Sequence, residues 1–91
     1  MPADVARPIS AAELRSTTLP LVRWRQGYAV DQVDAAIDRC VRAIDARTHG
    51  LRPELTADDV TALRFAATKL REGYDQDAVD DLLDRVVAAL R

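Results

Sequence analysis

The sequence predicts an all-α fold in which a short helix, a hook and a long helix form a unit that occurs twice. Three observations carry this. First, Gly73-Tyr74-Asp75-Gln76-Asp77-Ala78-Val79-Asp80-Asp81-Leu82-Leu83-Asp84-Arg85 repeats the frame of Gly27-Tyr28-Ala29-Val30-Asp31-Gln32-Val33-Asp34-Ala35-Ala36-Ile37-Asp38-Arg39, 46 residues later and without a gap. Second, apolar residues fall at helical spacing in both copies, with aspartates and arginines mostly opposite. Third, a helix-start signal precedes each copy by a similar distance.

The elements follow in order. Met1 to Arg7 shows no strong periodicity and reads as a frayed lead-in over residues 1–8. Ser10 is a good N-cap and Glu13 lies three residues on, a capping box, with Ile9 and Leu14 placed as the hydrophobic staple. Thr56, Asp59, Leu55 and Val60 repeat the device, with Asp59 the weaker box partner. Thr17-Thr18-Leu19-Pro20 should break the first helix, because an interior proline costs about 3 kcal/mol and disfavours helix at the residue before it. The matching Leu63-Arg64-Phe65-Ala66-Ala67 admits either a hook, the reading favoured here, or one helix running from Thr56 to Arg71.

Each hook ends in a glycine, Gly27 or Gly73, which supplies a positive φ or a close backbone approach. The long helices come next. Asp75 caps the second, Asp77 suits its positive end, and Tyr74 and Val79 form a staple. Tyr28 and Val33 repeat the staple, but Ala29 has lost the capping oxygen, a loss of about 1 kcal/mol that Gln32 should partly recover by bonding back to the Ala29 amide. The first long helix presents Val33, Ile37, Cys40, Val41 and Ile44, and the second Val79, Leu82, Leu83, Val86, Val87 and Leu90. Gly50 is the expected stop of the first, with Arg47 and His49 suited to its negative end, and Pro53 helps end anything before it. The repeats thus span residues 9–47 and 55–91, joined by a linker over 48–54. Each is below the roughly 40 residues at which an unsupported chain usually buries enough to fold, so the two should share one core about a pseudo-two-fold axis.

Composition narrows the function. The 91 residues carry a formal charge of −2, which argues against a domain built to neutralise phosphates. A helix-turn-helix reading would need a basic second helix, and Asp77, Asp80, Asp81 and Asp84 make it acidic. The single cysteine, Cys40, excludes an internal disulfide and fits a reducing compartment. No apolar run approaches the ~18 residues needed to span a bilayer, and the N-terminus lacks a signal-peptide layout, so a soluble cytoplasmic protein is expected. His49 and Cys40 have no partner at metal-ligand spacing, and no nucleophile elbow or phosphate loop exists. The chain reads as non-catalytic, with no cofactor, no metal, no nucleic acid and no small-molecule substrate.

Thr56, Asp59-Val60, Phe65, Leu70-Arg71-Glu72-Gly73-Tyr74-Asp75, Val79-Asp80 and Leu82-Leu83-Asp84 together resemble the N-terminal domain of DivIVA-type bacterial cell-division and polar-growth proteins. The first copy departs from that pattern: Leu19 stands where the aromatic would be, Ala29 replaces the cap Asp, and Ala36 replaces a bulky residue. The resemblance implies a cytoplasmic scaffold that associates with the membrane. In the family the hook tip offers lipid an apolar side chain beside an arginine; carried over by position, these are Trp24 with Arg25 and Leu70 with Arg71. Family scaffolds continue into a long coiled coil, whereas here the second long helix runs to Arg91, so filament formation is not expected.

The candidate sites are therefore the hook tips, Arg23, Trp24, Arg25 and Lys69, Leu70, Arg71, for which the alternative is ordinary packing. Val33, Ile37, Val41, Ile44, Val79, Leu83, Val86 and Leu90 form either the core or a self-association face. The expected partner is a protein, a second copy in a homodimer, or an anionic membrane surface; a self-associating structural module without lipid contact is the alternative. Asp34 with Asp38, and Asp80 with Asp84, are read as solvated faces, with the pairs Asp38–Arg42 and Asp81–Arg85 offsetting the like charges.

Overall fold

The computed structural model describes residues 6–91, so most of the lead-in reading lies outside the described residues. The chain runs α1 (Ala11–Ser16), β1 (Leu21–Val22), β2 (Gly27–Tyr28), α2 (Val30–Thr48), α3 (Ala57–Thr61), β3 (Ala67–Thr68), β4 (Gly73–Asp75) and α4 (Gln76–Leu90). The all-α expectation is wrong. The fold is mixed, because the hooks contribute a four-stranded antiparallel sheet of order β1-β4-β2-β3. Each strand is two or three residues long, too short for the alternation by which a strand is read from sequence.

Strand pairing is entirely between the two units. Leu21 and Val22 pair with Tyr74 and Gly73; Gly27 and Tyr28 pair with Thr68 and Ala67; and Tyr28 faces Tyr74 across the centre. The first two pairings interconvert on shifting each residue by 46, so the sheet is two-fold symmetric in register. The symmetry extends past the strands: the Ala29 amide donates to the Ala66 carbonyl, and the Asp75 amide to the Pro20 carbonyl, both at 2.9 Å. β1 and β2 flank β4, while β4 and β3 flank β2. Each hook therefore straddles a strand of the other unit. Gly27 and Gly73 are buried at this crossing with no positive φ; both are glycine because backbone passes too close for a Cβ.

The helices pack α1 on α2, α3 on α4, and α2 on α4. One cluster results, in which Val33, Cys40, Val79 and Val86 are fully buried and the staple residues Ile9, Leu14, Leu55 and Val60 close the ends. α3 stops at Thr61 and the chain turns extended, so the hook reading holds over the single helix to Arg71.

Local contacts adjust several expectations. Ser10 accepts the Glu13 amide at 3.0 Å, but the Glu13 carboxylate meets Arg85 at 3.0 Å instead of returning to the cap. The Thr56–Asp59 box, expected to be weaker, is the complete one, at 2.9 and 3.1 Å, and these hydrogen bonds hold the Asp59 carboxyl below its usual range. Gln32 does not return to Ala29; its Oε1 accepts the Ala66 amide at 2.7 Å, using the side chain to tie the units together. Arg47 serves the end of the other long helix, donating to the carbonyls of Leu90, at 3.1 Å, and Arg91.

The uncapped start of α2 yields a prediction. Asp75 accepts the Ala78 amide at 3.3 Å, and Ala29 stands at the equivalent place with no side-chain bond. Ala29→Asp is expected to stabilise the fold by about 1 kcal/mol, raising the thermal midpoint by roughly 4–8 °C in differential scanning calorimetry. An unchanged or lower midpoint would show that the pocket around residue 29 has lost room for the cap.

Candidate functional site at the hook tips

The two hooks run from Arg23 to Gln26 and from Lys69 to Glu72, between strands that hold their ends. Their tips carry Trp24, 83% exposed, and Leu70, 70% exposed, which occupy equivalent positions in the two units. The backbone explains why both project. Each hook leaves one strand, crosses a strand of the other unit and enters the next, and this leaves no neighbouring layer over the tip. Among the described residues Leu70 alone of the non-glycines has a positive φ, of 60°. A leucine in that region is disfavoured by contact between its Cβ and the following carbonyl.

The cations are not equivalent. Arg25 pairs with the cap carboxylate of Asp75 at 2.7 Å. Arg23 meets Glu72 at 3.8 Å, joining the start of one hook to the end of the other. Lys69 and Arg71 have no ion-pair partner among the described residues. For Arg71 the reason lies at residue 29. By symmetry it should meet a carboxylate there, as Arg25 meets Asp75, but that position is alanine. For Lys69 the reason lies at Gln26, which stands where Glu72 does in the other hook. All six hook residues singled out in the sequence, Arg23, Trp24, Arg25, Lys69, Leu70 and Arg71, are exposed. Leu21, 52% exposed on the edge strand, adds apolar surface that a two-residue strand gave no reason to expect.

The helix-face residues sit elsewhere. Val33, Val41, Ile44, Val79, Leu83, Val86 and Leu90 are buried in the internal cluster, and Ile37 packs against it half-buried. Cys40 is fully buried on the same face, and burial pushes its thiol up to about 11, far from a reactive thiolate. His49 is exposed and touches Asp45 on its own helix. Among the described residues no group of three or more His, Cys, Asp or Glu side chains is placed to hold a metal ion.

The paired aspartates are only partly a solvated face. Asp80 accepts the Tyr28 hydroxyl at 3.0 Å, and Asp34 accepts the Tyr74 hydroxyl at 2.7 Å. Each tyrosine of one hook is thereby bound to the long helix of the other unit. Burial, then the bond to Asp80, raises the Tyr28 phenol above its ordinary value; for Tyr74 the bond to Asp34 comes first. Tyr28 also stacks at a tilt on Phe65, ring centres 5.4 Å apart. The signal for these ties was present, since tyrosine and aspartate recur at one spacing in both copies, but their partner lay a repeat away. Asp38 pairs with Arg42 at 3.2 Å as expected, whereas Arg85 turns to Glu13 and the Arg7 carbonyl rather than to Asp81.

Among the described residues no helix is long and apolar enough to cross a membrane. No family model, curated protein or solved structure matches the chain.

Proposed function

We propose that this chain is a non-catalytic interaction module that lays its two hook tips on an anionic membrane surface at the inner face of a bacterial cell, in the manner of the DivIVA-type domains its second copy resembles. The observation that carries the reading is the exposure of Trp24 and Leu70 at equivalent tips, with Lys69 and Arg71 left without carboxylate partners. Tryptophan favours the interface between water and hydrocarbon, and each free cation near anionic lipid gains about 1 kcal/mol. Two such cations with two partly inserted apolar side chains give roughly 4–6 kcal/mol, a dissociation constant on the order of 0.04–1 mM. Contact by one domain is therefore weak and reversible, and it weakens with salt. A purely soluble self-associating module is less well supported, because the apolar helix faces it would use are already turned inward.

Sedimentation with vesicles tests the reading. Binding to vesicles containing phosphatidylglycerol is expected, with little to vesicles of phosphatidylcholine alone. Trp24→Ala and Arg71→Ala should each reduce the bound fraction about fivefold to tenfold at low salt, while leaving the circular dichroism spectrum unchanged. The lipid reading fails if anionic vesicles pull down none of the chain, or if neither substitution alters the amount bound. A protein partner would then be the class to pursue through the same tips.

A further inference from the structure

The register of the sheet has a consequence for assembly. Among the described residues no strand pairs with the other strand of its own unit, and both tyrosine–aspartate bonds also cross between units. What makes this a closed monomer is the linker alone. A first unit from one molecule and a second unit from another have the same complementary groups.

We propose that the chain exchanges its halves with a second copy of itself, forming a dimer in which each lobe joins the first unit of one molecule to the second unit of the other. Every contact of the monomer is remade in such a dimer, and only the hinge differs. Each lobe then carries the Trp24 tip of one chain and the Leu70 tip of its partner.

The hinge is identifiable. α2 ends in a Schellman arrangement: the Gly50 amide donates to the Arg47 carbonyl at 3.1 Å, the Leu51 amide to the Ala46 carbonyl at 2.8 Å, and Gly50 has a φ of +74°. This turn folds the second unit back onto its own chain. A Cβ added at Gly50 would meet no atom within 4 Å, so a side chain there acts on the backbone angle and on nothing else. Valine, disfavoured at positive φ, opens the turn. A short linker gives an intramolecular partner an effective concentration in the millimolar range, so the native chain closes on itself at micromolar concentration and exchanges only when concentrated.

Light scattering on a sizing column, after refolding over a range of concentrations, measures this. The native chain is expected to be monomeric at micromolar and partly dimeric near millimolar concentration. In Gly50→Val both hinges of a dimer are relieved, each worth about tenfold, so the dimer dissociation constant should fall by about a hundredfold. A second measurement separates exchange from side-by-side contact. Gly27→Val damages the first unit and Gly73→Val the second, so each variant alone should lose its fold. Refolded together, they form one lobe from two intact units, and about half of the native helical signal should return at the mass of a dimer. A Gly50→Val chain that stays monomeric to millimolar concentration overturns the proposal. So does a Gly50→Val dimer obtained while the mixture of the two glycine variants recovers no helix.

Discussion

Gly73→Ala is expected to destabilise the fold by about 3 kcal/mol, although alanine is a better β residue than glycine almost anywhere else in a strand. A Cβ on residue 73 would lie 2.1 Å from Thr68 Oγ1, 2.9 Å from the Tyr28 carbonyl oxygen and 3.1 Å from Thr68 Cβ. Thr68 is 1% exposed, and its hydroxyl, which faces Gly73, has no hydrogen-bond partner. Rotating Thr68 relieves the first contact only, because the second involves backbone at the centre of the sheet. At an unhindered position with negative φ the same change would stabilise by about 0.4–1 kcal/mol through the unfolded chain, so even the sign of the effect is informative. Urea denaturation followed by circular dichroism measures it, and the midpoint should fall by roughly 1–3 M. Thr68→Ala added to Gly73→Ala should recover part of the loss, a departure from additivity expected for residues in contact. A Gly73→Ala chain as stable as the parent would mean that the two hooks do not cross this closely.

Cutting the backbone between Gly50 and Glu54 is expected to leave two pieces, neither folded as a monomer. The first keeps α1 on α2 and the second α3 on α4, but all sheet pairing is lost. The α2–α4 contact is lost as well, which exposes Val33, Val79 and Val86, each fully buried in the intact chain and each worth about 1.5–3 kcal/mol in burial. A domain of this size has a total stability of roughly 5–15 kcal/mol, so neither piece can absorb that loss. Far-UV circular dichroism of each piece should show no cooperative thermal transition, and an equimolar mixture should restore one. A single piece that melts cooperatively as a monomer would contradict the shared interior.

The local parts of this fold could be read directly. The Thr56 cap, the Leu55–Val60 staple, the apolar stripes of both long helices and the stop at Gly50 all depend on residues within about five positions of each other, where spacing along the chain is spacing in space. Ala36 and Ala43 escaped that reading because small residues carry little weight in an apolar pattern, yet both are buried in α2. The exposure of Trp24 could not be read either, since a lone tryptophan fits a core as well as a surface and only the path of the hook decides.

By itself the sequence determined that one unit was doubled, where its helices begin and which faces they bury, because each of these is a short-range property of side chains. Only the tertiary structure decided that the hooks are strands, that Gly27 and Gly73 lie where backbones cross, and that each tyrosine reaches an aspartate of the other unit. Each of those features joins segments far apart in the chain that only folding brings together; the strands rest on backbone hydrogen bonds, which every residue but proline can donate, and a two-residue strand leaves no periodic trace of the partner it will meet.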